Sequence, residues 1–338
     1  MITLAITTLV IMTPLAAWLA SGLALRLLNR HNILAHPDRR SSHILPTPHG
    51  GGIAVVGVTS LGWIAIGALG IGDWSSLATV LAAALVLAIV SWFDDVGSLP
   101  VTPRFVSQVV AITIVMLLAP MEALTHGLLP LPFDRLLSGI LWIWFINLFN
   151  FMDGIDGIAG VETLCLCLGV IGVASIADSG ENLILPATIL GAAMVGFLPW
   201  NWHRATLFLG DVGSVPVGFM LGWFLLQLAG HGQWAAALVL PSYYIADATL
   251  TLFGRAIRGE VFWKPHRGHF YQRAVAGGLS HGQASKAVAA AGMWLLGCAL
   301  LSAISHTLVL FSLLGATLGV ASLLWYFQRV AHSTPPTV

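Results

Sequence analysis

Leu77-Ala-Thr-Val-Leu-Ala-Ala-Ala-Leu-Val-Leu-Ala-Ile-Val-Ser-Trp92 carries no charge, and it runs straight into Phe93-Asp94-Asp95-Val96-Gly97-Ser98-Leu99-Pro100. A helix needs about 20 mostly apolar residues to cross the hydrocarbon core of a bilayer. An uncharged run ending on acids therefore reads as a span that reaches the aqueous interface. A membrane β-barrel strand would alternate apolar and polar residues, whereas this run is continuous, as is Leu308 to Phe327. The composition of the chain agrees: of 338 residues, 57% are hydrophobic and 8% charged, against about 25% charged in a soluble domain. A water-soluble fold is excluded, and so are long extramembrane domains.

Dividing the sequence at clusters of charge, Pro and Gly predicts spans near 3–27, 52–72, 76–93, 104–120, 136–152, 158–177, 183–200, 214–230, 234–253, 286–305 and 307–328. The fold class is thus all-α integral membrane, a polytopic bundle of about 10–11 transmembrane helices. It forms one domain over residues 1–332, with 333–338 a short disordered tail. The first run lacks the basic start of a signal peptide and reads as a retained helix. Connections alternate between nearly charge-free turns, such as Gly72-Asp73-Trp74, and polar segments at 28–51, 94–103, 201–213 and 254–285. Putting the polar ones on one side places thirteen of the fourteen Lys and Arg there and leaves Arg135 opposite. That asymmetry marks the cytoplasmic side, with the N-terminus outside and the C-terminus inside. The formal net charge of zero argues neither for nor against a nucleic-acid partner, and none is expected. Cys165, Cys167 and Cys298 lie in apolar runs without metal-ligand spacing and read as small fillers.

Four cytoplasmic connections carry residues suited to chemistry. Asp94-Asp95 could ligate a hard cation or handle a proton, although an isolated acid pair at a span end serves equally as an interface marker. Asn147-Leu-Phe-Asn150-Phe-Met-Asp153-Gly154-Ile-Asp156-Gly157 sets polar ligand types three residues apart, with glycines that let backbone approach a ligand. Phe208-Leu-Gly-Asp211-Val-Gly-Ser214 places an acid where a helix begins; its amides suit an anion and the acid suits Mg²⁺, or else Asp211 or Ser214 caps the helix. Lys264-Pro-His266-Arg267-Gly-His269-Phe-Tyr-Gln-Arg273 is dense in cations and imidazoles, fit for a phosphate or for anionic lipid. The 28–51 connection adds Arg39-Arg40-Ser-Ser-His43 and Pro46-Thr47-Pro-His49 before Gly50-Gly51-Gly52, where tight helix packing is the simpler reading of the glycines. Together these segments point to a Mg²⁺-dependent site for a phosphorylated substrate.

At these residues the sequence resembles the polyprenyl-phosphate N-acetylhexosamine-1-phosphate transferase family, which includes the bacterial phospho-N-acetylmuramoyl-pentapeptide translocase and the enzymes that begin O-antigen synthesis. The likeness rests on Pro-Thr-Pro-His-Gly-Gly-Gly, Asp-Asp-Val-Gly, Asn-Phe-Met-Asp-Gly-Ile-Asp-Gly, Gly-Asp-Val-Gly-Ser and His-Arg-Gly-His-Phe-Tyr-Gln, in that order. The resemblance implies a bundle of ten or eleven helices in the bacterial inner (plasma) membrane with a cytoplasmic active site. There a sugar 1-phosphate passes from a UDP-N-acetylhexosamine, or a 6-deoxy relative, to undecaprenyl or another polyprenyl phosphate, releasing UMP. It implies Mg²⁺, with Mn²⁺ as a substitute, on Asp211 with Asn150. Phe208 would stack the uracil, and Asp153, Asp156 and Asn150 would line the nucleotide site. Asp94 and Asp95 would act near the lipid phosphate, and His266, Arg267 and His269 would face the pyrophosphate. Asn147, Thr47, His43 and Arg104 complete the expected substrate contacts, and a homodimer in the lipid bilayer is compatible with all of this. The His-Arg-Gly-His loop departs from the three-histidine form of the pentapeptide translocase and sides with the O-antigen branch.

Two other classes remain open at this stage. A secondary transporter would place an essential carboxylate within a span, and Glu162 and Asp247 are the residues placed to serve it. A non-catalytic scaffold would leave the gathering of aspartates on one side without a purpose. Direct attack by the lipid phosphate and a phospho-aspartate intermediate are equally allowed by the sequence.

Overall fold

The computed structural model describes residues 2–35, 46–119, 121–261 and 266–333. Arg39, Arg40, His43 and Lys264 of the expected anion-binding segments lie outside the described residues, as does the tail from 334 to 338. The helices are α1 (Ile2–Arg30), α2 (Gly52–Ala68), α3 (Trp74–Gly97), α4 (Val101–Leu118), α5 (Leu131–Met152), α6 (Ile158–Ala177), α7 (Ile184–Asn201), α8 (Asp211–Leu228), α9 (Trp234–Val239), α10 (Ser242–Ile257), α11 (Phe270–Ala276), α12 (His281–Ile304) and α13 (Val309–Ser333). A two-residue strand pair, Leu34–Ala35 with Thr47–Pro48, is the one sheet among the described residues.

Nine segments among the described residues are long and apolar enough to cross a membrane, and α2 is a shorter apolar helix. The chain is a multi-pass membrane protein of the expected all-helical class. The predicted span 234–253 is two helices, because Pro241 has no N–H to donate and parts α9 from α10. Ahead of α9, Gly232 takes φ +88 and turns the chain at the end of α8. The short helix α11, in the middle of the 254–285 connection, is an addition to the predicted set.

Local signals explain most helix ends. The Asp73 carboxylate accepts from the amides of Ser75 and Ser76 and from the Ser76 hydroxyl, capping α3. Ser280 and Gln283 form a reciprocal capping box at the start of α12. The centre of the bundle is α8, which packs on α2, α3, α5 and α6 and is buried along nearly its whole length. Trp63 and Trp142 are fully buried, and their indole N–H groups donate to the carbonyls of Pro186 (3.1 Å) and Phe219 (2.9 Å). The outer surface is as apolar as the interior: Leu15, Leu19 and Leu23 on α1, Val106, Val110 and Leu117 on α4, and Leu310, Leu314 and Leu318 on α13 are all exposed. Such a surface is stable only against lipid tails.

One glycine pair fixes the geometry of the end of the bundle where α2 and α8 begin. At the start of α2, a Cβ on Gly52 would stand 2.1 Å from the Cα of Gly213 in α8. The chains meet backbone to backbone, and the amides of Gly51 and Gly52 donate to the carbonyls of Phe208 and Leu209, each at 2.8 Å. The glycine run thus packs a helix start against the 208–213 segment, in line with the packing reading.

Candidate active site

The polar ends of α3, α5 and α8, the turns at 153–157 and 202–210, and the 266–273 segment converge at one end of the bundle. They enclose a cavity of about 280 Å³ whose walls include Asp95, Asn150, Asp153, Asp156, Phe208 and Asp211, together with His49, Asn201, Gln272 and His281.

Asp95 at the end of α3 turns its carboxylate toward the start of α8. Its two oxygens accept from the amides of Asp211 and Val212, each at 3.0 Å. The carboxyl oxygens satisfy two orphan amides at the start of the helix. The next two amides, of Gly213 and Ser214, bond to the Gly210 carbonyl. The sequence reading offered these amides to a ligand anion or to a cap by Asp211 or Ser214; the protein gives them to Asp95. Asp94, in the same turn, accepts from the Leu99 amide at 2.7 Å and pairs with Arg104 at 2.6 Å. Arg104 also reaches Asp211, at 3.8 Å.

Asp211 therefore stands between a cation and an amide. Asn150, in the last turn of α5, points its side-chain nitrogen at Asp211 Oδ1 (2.9 Å) and Ser214 Oγ (2.8 Å). In this orientation Asn150 aligns the Asp211 carboxylate. The cavity wall here is rich in oxygen, with Asp211, Asp153 and Asp95 all reaching it, and this is the donor type that suits a hard divalent cation such as Mg²⁺. Burial, and then the charges of Asp211 and Asp156, push the Asp153 carboxyl up to about 7. Such a group is eased by a cation brought close to it.

Asp156 is the hub of a second cluster. Its oxygens lie 2.9 Å from His203 Nδ1 and 3.1 Å from His281 Nδ1, and the Ala205 amide donates to it at 3.2 Å. Ser285 of α12 donates to its backbone carbonyl at 2.7 Å. Burial raises its carboxyl, but the bonds from His281 and His203 outweigh that and hold it below the usual carboxylate range. Asn201 joins the 202–207 turn to the same place, donating to the Leu207 carbonyl and accepting from the Gly157 amide, each at 3.0 Å. Half-buried Phe208 offers its ring to the cavity from the edge of this wall.

The 266–273 segment closes the cavity from the side of α10. Gly154 is required for that approach, since a Cβ there would stand 2.3 Å from the Tyr271 hydroxyl and 3.0 Å from Gln272 Nε2. His269 is buried, lies 3.2 Å from Asp247 through Nδ1, and its ring stacks between those of His266 and Tyr271. Arg267 is exposed. Burial, with the nearby His269 and Arg255, lowers the His266 imidazole from 6.5 to about 4. The closed segment thus holds His266 neutral, while an opened one would bind a proton below pH 6.5. Stability of the closed segment is full above 6.5 and falls as pH drops from 6.5 toward 4. Hydrogen exchange of the α11 amides, corrected for intrinsic rates, is expected to show protection falling across that window, and His266→Asn is expected to flatten the dependence.

Two expected substrate contacts stand elsewhere. Asn147 donates to Gln108 of α4 at 2.7 Å and joins two helices, and Thr47 pairs with Ala35 in the small sheet. Asp247 and Glu162 are both buried in the bundle. His49 and Gln272 belong to the cavity and lie in the family motifs without having been given a role, and Asn201 and His281 belong to it from outside those motifs. His281 had a local marker of its own, the Ser280 to Gln283 cap that sets it in the first turn of α12.

The model of glycosyl transferase family 4 matches residues 77–229. The chain is 30% identical over 305 residues to the decaprenyl-phosphate N-acetylglucosaminephosphotransferase of Mycolicibacterium smegmatis, covering 79% of this chain and 74% of that protein. It is 29% identical over 300 residues to the protein of the same description from Mycobacterium leprae, covering 78% and 75%. With the probable undecaprenyl-phosphate N-acetylglucosaminyl 1-phosphate transferase of Bacillus subtilis it shares 29% identity over 266 residues, covering 72% and 70%.

Proposed function

This chain belongs to glycosyl transferase family 4, and we propose that it transfers N-acetylglucosamine 1-phosphate from UDP-N-acetylglucosamine to undecaprenyl phosphate, releasing UMP. The observation that carries the reading is the meeting of Asp211, Asp153, Asp95 and Phe208 on one cavity at the polar end of a membrane bundle. A lipid acceptor lies in the bilayer and a nucleotide sugar arrives from water, so this interface is where the two can meet. The cytoplasmic face of a bacterial inner membrane, and the first membrane step of O-antigen or another envelope polysaccharide, fit that chemistry.

Both substrates are anionic where they react. Asp211, aligned by Asn150, would hold Mg²⁺ with Asp153 beside it; the ion when bound supplies positive charge against the pyrophosphate. Arg104, and the exposed Arg267 of the neighbouring 266–273 segment, add positive charge from the protein. A lipid phosphate oxygen attacks the β-phosphorus, the bond from that phosphorus to the bridging oxygen breaks, and UMP departs with the electron pair. Positioning and charge do most of the work in such a transfer. Asp95 is committed to two amides and Asp94 to Arg104 and Leu99, which favours direct attack over a phospho-aspartate. Phe208 stacks the uracil, with Asn201 and His281 on the adjoining wall.

The test is UMP release by purified protein from a panel of UDP-N-acetylhexosamines with undecaprenyl phosphate. Release that needs acceptor and divalent metal, and is fastest with the N-acetylglucosamine donor, is the expected result; no release from any donor by folded protein overturns the reading. Phe208→Ala is expected to raise KM for the UDP-sugar roughly 10–100-fold, since stacking a base on an aromatic ring is worth about 1–3 kcal/mol. The KM for the lipid should stay within about twofold, and an unchanged donor KM would remove Phe208 from the nucleotide site.

A further inference from the structure

Asp247 lies in α10 with no exposed surface, and it belongs neither to the cavity wall nor to any step above. Five donors converge on its carboxylate. Oδ1 accepts from the Phe270 amide (3.0 Å), His269 Nδ1 (3.2 Å) and the Thr251 hydroxyl (3.3 Å). Oδ2 accepts from the Tyr243 hydroxyl (3.1 Å) and the Tyr271 amide (3.4 Å). Two of these donors belong to α10, and the other three open the 269–276 segment. An acid serving as an ion carrier must exchange partners with water, and this one has its oxygens filled by protein.

We propose that Asp247 is a positioning residue: a latch in α10 that holds the 266–276 segment shut over the cavity and so sets where Gln272 and Arg267 stand for the donor substrate. The inference rests on the transferase reading for its kinetic consequence but not for its structural one. From Asp247 the path is short. It fixes His269 and the first two amides of α11; α11 then sets Tyr271 and Gln272 against Gly154, whose missing side chain leaves room for them. Asp153, with its raised carboxyl, is the neighbour of that glycine in the chain. Asp95 treats α8 in the same way, taking the first two amides of a neighbouring helix. The protein thus uses one device twice, once for the helix bearing Asp211 and once for the segment that closes over it.

Asn at position 247 keeps the shape but turns an N–H₂ toward groups that are themselves donors. At least one hydrogen bond is lost and a buried donor is stranded, which shifts the opening equilibrium roughly tenfold or more. The experiment uses full-length Asp247→Asn protein in detergent, with two readouts. The first is the rate of trypsin cleavage after Arg267 and Arg273, which needs no substrate and is expected to rise about tenfold at an unchanged unfolding temperature. The second is steady-state UMP release, where KM for the UDP-sugar is expected to rise about tenfold while KM for the lipid phosphate holds. A merely structural role would lower the active fraction and leave both KM values alone. Wild-type rates of cleavage and a wild-type donor KM would overturn the latch. Should the wild-type chain release no UMP, the transferase reading falls while the cleavage assay still decides the latch. If Asp247→Asn does not fold, Tyr243→Phe and Thr251→Val each remove one donor and keep the charge. Both should speed cleavage in the same direction by a smaller factor, and no change in either overturns the proposal.

Discussion

Asp211→Asn protein is expected to release UMP roughly 10²–10³-fold more slowly than wild type, the loss typical of removing one electrostatic contact to a reacting group in a dry site. The Asn side chain is close in shape and its Oδ1 can still accept from Asn150, so α8 keeps its start and the protein should fold and bind detergent as before. What changes is charge. The carboxylate faces Arg104 on one side and the oxygen-rich cavity wall on the other, and its loss removes the anion that would hold a divalent cation. Raising Mg²⁺ should recover little, because the cation then has no anchor at the reacting centre. The measurement is initial UMP release at saturating substrates over a range of Mg²⁺, with circular dichroism to verify folding. Activity within about tenfold of wild type would remove Asp211 from the metal site.

Gly52→Val is expected to lower stability by about 3 kcal/mol, the upper end of the range for forcing extra carbons into a packed interior. Side chains often move aside for an added methyl, but here the obstacle is backbone: the new Cβ would fall 2.1 Å from Gly213 Cα and 2.3 Å from Gly213 N. Relief requires α2 and α8 to separate. Separation breaks the bonds from the Gly51 and Gly52 amides to Phe208 and Leu209, so the aromatic wall should shift as well. Loss of nucleotide affinity should therefore accompany the loss of stability. Gly57, in the same helix, has open space where its Cβ would be, and Gly57→Val is the control expected to melt and bind like wild type. Equal melting temperatures for the two variants would contradict the close crossing.

Much of this architecture is legible in the residues themselves. The uncharged run from Leu77 to Trp92 predicts α3, because helices in lipid must be apolar for the length of a membrane, and that length is fixed. Asp153 and Asp211 stand out because acids beside glycines at span ends are costly without a partner, whereas Phe208 is marked only by the family resemblance. What the sequence hides are partnerships across long separations. Nothing near Asp156 reveals that His281, 125 residues on, bonds to it. Nothing near Asp247 shows that the 269–271 segment folds back to meet it, so a carboxylate inside an apolar stretch looks like an ion carrier. Asn147 shares a helix face with Asn150 but lies a turn further from the end of α5, where its side chain donates to Gln108. The start of α12 at His281, five residues before the predicted 286, was marked by the Ser280 and Gln283 cap, a polar signal that hydropathy passes over.

The bond from Asp95 to the first amides of α8 also governs how substitutions there combine. The side chain that fixes the helix start and the side chain carried by the first residue of that helix form a single thermodynamic unit. Removing Asp95 moves Asp211, and once Asp211 is gone there is less for Asp95 to hold in place. Their separate losses should then sum to more than the loss in the double variant, as for any pair that acts through one geometry. An inactive Asp95 variant, read by itself, would report the position of its partner as readily as any chemistry of its own.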